Sequence, residues 1–475
     1  MKTDLHSFFA ERAWVQGRWA HDVLLSVDAS GNWCGIQTGT PLALRTNATV
    51  LSGPLLPGLV NAHSHAFQRA IAGLTERTSA AAGGVGDNFW SWRDRMYRAA
   101  ARITPDQLEA IAAMLYAELL LGGYTQVCEF QYLHNAIDGA PYADPAEMSL
   151  ALVRAAQRVG MGLTLLPTLY MRSGFGAAGL REDQRRFSST PDRLMRMIDS
   201  LQRQTRALKH VNVGLAIHSL RAVDDVAVKE VAAFAARASL PVHIHIAEQT
   251  QEVQDCIAHT GQRPIEWLMR HVPVNAHWNL VHATHTTTQE LKAVSASGAA
   301  IVICPSTEAN LGDGVFDYPG YAGVNGQWSI GSDSHVTRSW TEELRLLEYA
   351  QRFAHRRRNV AAQESANESS AAALFEGALA GGRSATSLAL GSIALGNRAD
   401  FLVLDAKASA LLGVPTDYLL DALVFSSPDA HCAEVFVAGE QTVRQAQLGA
   451  DASAVWPQIQ QDFVRTMSAL WRTHA

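Results

Sequence analysis

Leu59–His65 reads LVNAHSH, with Pro57 and Gly58 ahead of it and Ala66, Phe67 and Gln68 behind. An apolar run closes on two histidines one residue apart. Alone, the run admits two readings: a strand with a polar end, or a pair of metal ligands. What separates them is whether the pattern recurs along the chain.

It does recur. Seven further apolar, β-branched-rich runs follow: TQVCEF (125–130), GLTLLPTLY (162–170), NVGLAIHSL (212–220), PVHIHIAE (241–248), NLVHATH (279–285), AAIVICPST (299–307) and WSIGSDSH (328–335). Most are followed by helical stretches such as PDQLEAIAAMLYAELLLGG (105–123) or TQEVQDCIAHTG (250–261). Nearly continuous apolar runs suit a parallel sheet covered on both faces. Eight strand-helix units predict an α/β fold, a (β/α)8 TIM-type barrel.

The two ends have another texture. ERAWVQGRWA, DVLLSVDASGNW and CGIQ read as short strands, and the pattern returns in GSIALGNRADFLVLDAK and AEVFVAGEQTVRQ. They are expected to pair into one small β-sandwich domain from residues 1–55 and 388–450, around a barrel at 56–387. VWPQIQQDFVRTMSALWRT, within 451–475, reads as a terminal amphipathic helix, and SAAAGGVG (79–86) as a flexible loop.

Composition narrows the function classes. With 475 residues, 48% hydrophobic, 18% charged and a net charge of −6, the chain reads as a soluble globular protein without the basic surplus of a nucleic-acid binder. Five scattered cysteines without C-x-x-C argue against a disulfide framework or thiolate zinc site. No signal peptide or long apolar span is read, so a cytoplasmic protein without a membrane partner is expected.

A barrel gathers its chemistry at the C-terminal ends of its strands. There the runs carry His63 and His65; His218, with Arg221 three residues on; His243, His245 and Glu248; His282 and His285; Asp333 and His335. Residues i and i+2 of a strand share a face, so His63 and His65 can reach one point inside the barrel. Neutral imidazoles with one carboxylate around an open position suit a catalytic Zn2+ or similar divalent ion, which supplies hydroxide near neutral pH. The five lysines, Lys2, Lys209, Lys229, Lys292 and Lys407, lie away from the strand ends. No carboxylated-lysine bridge is therefore expected, and one metal is.

PGLVNAHSH, HIHIAE, LVHATH and GSDSH resemble the four signature strands of the amidohydrolase superfamily. RSATSLALGSIALGNRADFLVLD is similar to its return from helix to β-sandwich, and the likeness spans essentially the whole chain. The H-x-x-E spacing of His245 and Glu248 resembles the mononuclear deaminase branch. This implies one Zn2+ per subunit, with Fe2+ or Mn2+ as substitutes, on His63, His65, His245 and Asp333. Glu248, His282 and Asp333 would move protons. His243, His285 and His335 are expected to be structural or supporting.

A narrower likeness lies in HAFQRAIAGLTE, NFWSWRDRMY, EFQYLHNA, AIHSLRAV and HIAEQTQEV. It implies a small-molecule substrate with two carboxylates, N-formimidoyl-L-glutamate, hydrolysed to N-formyl-L-glutamate and ammonia in histidine degradation. Arg93, placed in the loop after the first run, and Arg221 would grip carboxylates, because guanidinium forks match them. Gln68, Tyr132 and His218 would add hydrogen bonds. The alternative is a deaminase or chlorohydrolase of the same superfamily acting on a purine, pterin or triazine ring. A homodimer is expected from the resemblance and from the frequency of two-fold assemblies.

Overall fold

Each of the eight apolar runs forms a strand bonded in parallel to its sequence neighbour. The strands are Leu59–Ser64, Tyr124–Gln131, Gly162–Leu169, Val211–Val213 with Leu215–Ile217, Val242–Ile246, Trp278–His282, Ala300–Ile303 and Gln327–Ile330. The computed structural model describes residues 6–41, 45–77, 87–365, 367–427, 432–445, 447–448 and 452–472. The stretch 79–86, read as a flexible loop, lies outside the described residues.

Two runs end or break where the sequence forces them to. The fourth strand is interrupted at Gly214, where an added Cβ would come within 2.7 Å of Pro241 and 2.8 Å of Leu166. The seventh stops at Ile303, because Pro305 opens the helix Pro305–Leu311, so PST belongs to a helix and not to the strand.

The barrel closes through a thin seam. Strands one and eight meet in a single bridge, Ser64 to Asp333. Asp333 N donates to His63 O at 3.0 Å, and His65 N to Asp333 O at 3.3 Å. The helix Ser370–Thr386 packs against both strands. Its Gly381 and Gly382 permit the approach: a Cβ on Gly381 would meet the Trp328 carbonyl oxygen at 1.9 Å, and one on Gly382 the Val60 side chain at 2.9 Å. The seam thus brings His63, His65 and Asp333 together at the C-terminal rim.

Strands from both chain ends form a second, mixed sheet. Its order is Gln447–Leu448, Glu440–Arg444, Cys432–Val437, Phe401–Leu404, Leu55–Pro57, His6–Val15, Arg18–Val27 and Trp33–Gln37, with Thr49–Val50 beside His6–Val15. His6–Val15 and Arg18–Val27 join through Gln16 and Gly17, both at positive φ (53° and 75°), as a tight two-residue hairpin requires. Phe8, Phe401 and Phe436 fill its core, the last two stacked at 4.2 Å. The terminal helix Ala452–Trp471 lies on the barrel helix Pro105–Leu121, and Trp471 Nε1 donates to Ala70 O at 3.0 Å. No helix among the described residues is long and apolar enough to cross a membrane.

Candidate metal centre and active site

The strand ends deliver three imidazoles to one point. The Nε2 atoms of His63, His65 and His245 lie 3.0–3.3 Å from one another. His65 Nδ1 donates to Phe130 O and His245 Nδ1 to His218 O, both at 2.9 Å. A carbonyl can only accept, so those two rings carry their hydrogen on Nδ1 and turn bare Nε2 lone pairs inward. Asp333 Oδ1 is 3.4 Å from Nε2 of both His63 and His65. His63 Nδ1 is buried without a partner.

Electrostatics agree with the geometry. Burial, then the neighbouring imidazoles, holds His63 and His245 well below the ordinary histidine value, and burial also lowers His65. All three are neutral donors at pH 7. A cluster of lone pairs beside a carboxylate, with no hydrogen to share between His65 and His245, is a donor set built for a cation. The His/Asp group is a metal-binding cluster.

The backbone is bent to aim these side chains. Ala247, His282, Ala283, Asp333 and His335 all sit at positive φ, between 44° and 68°. Such strain costs about 1 kcal/mol or more per non-glycine residue and persists where surroundings enforce it. Here Ala283 N donates to Ile246 O at 3.1 Å and His335 N to Ser332 O at 2.8 Å.

His282 forms the next layer. Its Nε2 is 3.8 Å from both Glu248 Oε1 and Asp333 Oδ2, and its Nδ1 is 3.4 Å from Glu308 Oε1. Burial alone would lower its pKa, but Glu248, Glu308 and Asp333 outweigh it and hold it up at about 10. Burial pushes Glu248 up to about 7. A dication at the cluster would pull both downward by adding positive charge beside them.

Four carboxylates here were not singled out in the sequence. Glu308 accepts from Cys304 N at 2.8 Å and faces His282. Glu252 accepts from the backbone N–H groups of Ala247 and Glu248, each at 3.1 Å. Glu129 accepts from Ala66 N at 2.5 Å and Ser64 Oγ at 2.7 Å, clamping the chain on both sides of His65. Asp313, pushed up to about 9 by burial and then by Glu248, takes a hydrogen bond from Gln249. Glu252 and Glu308 sit in the first turn of helices that begin at strand ends, and that position was the available signal.

The remaining histidines are supports. His243 Nε2 donates to Ala385 O at 2.8 Å, on the helix that closes the seam. His335 Nε2 donates to His65 O at 3.0 Å. His285 Nε2 bonds Asp313 O at 2.9 Å.

Beyond the cluster, Gln68 Nε2 donates to Tyr132 Oη at 3.3 Å, and its buried Oε1 has no partner. Tyr132 and His218 stand 5.4 Å apart by ring centroids, with His218 5.0 Å from His245. Arg93 is not in a loop, as the sequence suggested. It lies on the helix Phe89–Ala100, which forms because Asn88 caps Trp90 N and Ser91 N while Ser91 Oγ accepts from Asn88 N. Arg93 and Arg221 both flank Trp90, at 4.5 and 5.4 Å from its ring. Neither has an ion-pair partner among the described residues, and Arg93 Nε is buried without a hydrogen bond. Arg172 donates to Arg221 O and Leu220 O and so fixes the turn carrying Arg221.

Known proteins resemble this chain in sequence and fold. A sequence profile described as the amidohydrolase family matches residues 55–442. The formimidoylglutamate deiminase of Pseudomonas aeruginosa is 45% identical over 443 residues, covering 93% of this chain and 96% of that protein. The crystal structure of an amidohydrolase from Brucella melitensis superposes with a TM-score of 0.89 at 40% identity, over 98% of this chain and 99% of that one. A zinc-bound adenosine deaminase from Xanthomonas campestris shares the fold, with a TM-score of 0.77 at 22% identity over 97% and 98% of the two chains. From the profile match across barrel and sheet and the identity to full-length relatives, this chain belongs to the amidohydrolase family.

Proposed function

We propose that this chain is a metal-dependent deiminase that hydrolyses N-formimidoyl-L-glutamate to N-formyl-L-glutamate and ammonia. The observation that carries it is the pair Arg93 and Arg221. Two guanidiniums, neither with a carboxylate at ion-pair distance among the described residues, flank one aromatic ring, and both lie near enough to His218 to add to burial in lowering its pKa. Such a pocket calls for an anionic substrate, and a linear dicarboxylate supplies both charges. The 45% identity to the Pseudomonas aeruginosa deiminase supports the same substrate.

In this reading His63, His65, His245 and Asp333 would hold one Zn2+. An ion held there would supply the acidity that brings water toward a pKa of about 7 and makes it a nucleophile at neutral pH. Asp333 takes the proton from the attacking water. His282, a cation when it holds both protons, would sit against the incoming oxygen and stabilise the negative charge it carries as it adds to the amidine carbon. Glu248 shuttles protons to the departing imino nitrogen: the one Asp333 takes from the water, and then the one the added hydroxyl gives up as the formyl C=O forms, so that the =NH gains two hydrogens and leaves as ammonia. Gln68, Tyr132 and His218 orient the substrate, and Arg93 and Arg221 bind its carboxylates.

The division into a β domain from 1–55 and 388–450, a barrel at 56–387 and a terminal helix at 451–475 belongs to the same proposal. So do a homodimer and a cytoplasmic setting, the former tested by light scattering of the purified protein. The function itself is tested by ammonia release from the zinc-loaded enzyme. N-formimidoyl-L-glutamate should turn over, and guanine and adenosine should not. No release from the first, or faster release from a purine, sinks the proposal.

A further inference from the structure

Three residues behind the arginines form a hydrogen-bonded triangle that the proposed chemistry leaves unused. Tyr97 Oη and Tyr170 Oη lie 3.2 Å apart. Gln184 Nε2 is 3.3 Å from the first and 3.0 Å from the second. Gln184 Oε1 accepts from Arg181 N at 3.0 Å, which fixes the amide so that its NH2 faces the phenols.

The amide donates one hydrogen to each phenol oxygen. One phenolic hydrogen lies between the two oxygens. The other has no acceptor, because neither oxygen has a further partner among the described residues. Tyr97 and Tyr170 are only 3% and 2% exposed, so this hydrogen lies in a largely desolvated pocket where leaving it without an acceptor is costly. The surroundings are those of an anion pocket. The Arg93 guanidinium is 5.5 Å from the Tyr97 ring, and the His218 ring is 4.3 Å from that of Tyr170.

We infer that Tyr97 and Tyr170, locked by Gln184, present one spare phenolic O–H to a substrate carboxylate and complete the pocket begun by Arg93 and Arg221. The inference rests on the reading of this site as a dicarboxylate binder. Tyr97 and Tyr170 are then specificity residues, and Gln184 is a positioning residue.

The test is calorimetric binding of glutarate and its neutral analogue glutaramide to the zinc-loaded, full-length protein. The wild type should prefer glutarate. Tyr97→Phe/Tyr170→Phe should weaken glutarate by about ten- to hundredfold, the range for a hydrogen bond to a charged group, and glutaramide much less, because its neutral carbonyl accepts the same O–H more weakly. Gln184→Glu keeps the side-chain shape but draws both phenolic hydrogens onto itself, and it should also lose glutarate. This second variant decides the matter if the double variant fails to fold. Unchanged glutarate affinity, or an equal loss for glutaramide, overturns the inference. A wild type that holds glutarate through these phenols yet releases no ammonia from N-formimidoyl-L-glutamate would support the pocket and refute the substrate.

Discussion

His65 and His245 face each other through Nε2 atoms 3.3 Å apart, and each spends its only ring hydrogen on a backbone carbonyl. Two lone pairs at that distance repel unless something positive sits between them. A proton on His63 Nε2 can serve only one of them at a time. A divalent ion answers all three rings and Asp333 at once.

Glu248→Gln keeps the side-chain volume but removes the transferable proton. Metal content should stay at the wild-type level while kcat falls by roughly 10²- to 10⁴-fold. Wild-type turnover in this variant would refute the proton-transfer role.

Glu308 holds His282 by its Nδ1 and helps keep it cationic. In Glu308→Gln the His282 pKa should drop, because a raising charge has gone. The alkaline limb of the pH–rate profile should move to lower pH with metal content unchanged. A profile that does not move would show that Glu308 merely caps its own helix.

Arg221→Met should act on binding rather than on the chemical step. Losing a charged hydrogen-bond partner should raise KM for the dicarboxylate roughly ten- to hundredfold with little change in kcat. An unchanged KM would move the carboxylate site elsewhere.

Stability should fall as pH rises through the neutral range. Burial pushes Glu343 up to about 8 from 4.5, although Ser306 donates to it through both N and Oγ. Its folded-state pKa exceeds its unfolded one, so the contribution is complete below about 4.5 and is lost as pH climbs to about 8. Glu343→Gln should therefore shrink the difference between urea midpoints at pH 6 and pH 8.5. An undiminished difference would place the effect on other groups.

The barrel was legible because eight long apolar runs leave little choice of architecture, and strand parity put His63 and His65 on one face. Parity does not fix depth. His243 shares a face with His245, but two residues earlier places it about 6.6 Å down the strand, against Ala385. Glu308 and Glu252 were hidden for another reason: a carboxylate in a first helical turn already has an explanation in the N–H groups it caps. Arg93 was misplaced although Asn88 and Ser91 spelled out a capping box just ahead of it. The free phenolic hydrogen could not be read at all, since it exists only once Gln184 is oriented by Arg181.

Metal stoichiometry tests the central claim most directly. Purified wild-type protein, measured by inductively coupled plasma mass spectrometry after equilibration with zinc and gel filtration, should carry one zinc per chain. His245→Ala should carry none, and chelation should lower the melting temperature of the wild type alone. At zinc concentrations a thousandfold above Kd the stabilisation amounts to about 4 kcal/mol. A wild-type chain that retains no divalent ion, or a His245→Ala chain that binds zinc as well as the wild type, would contradict the account.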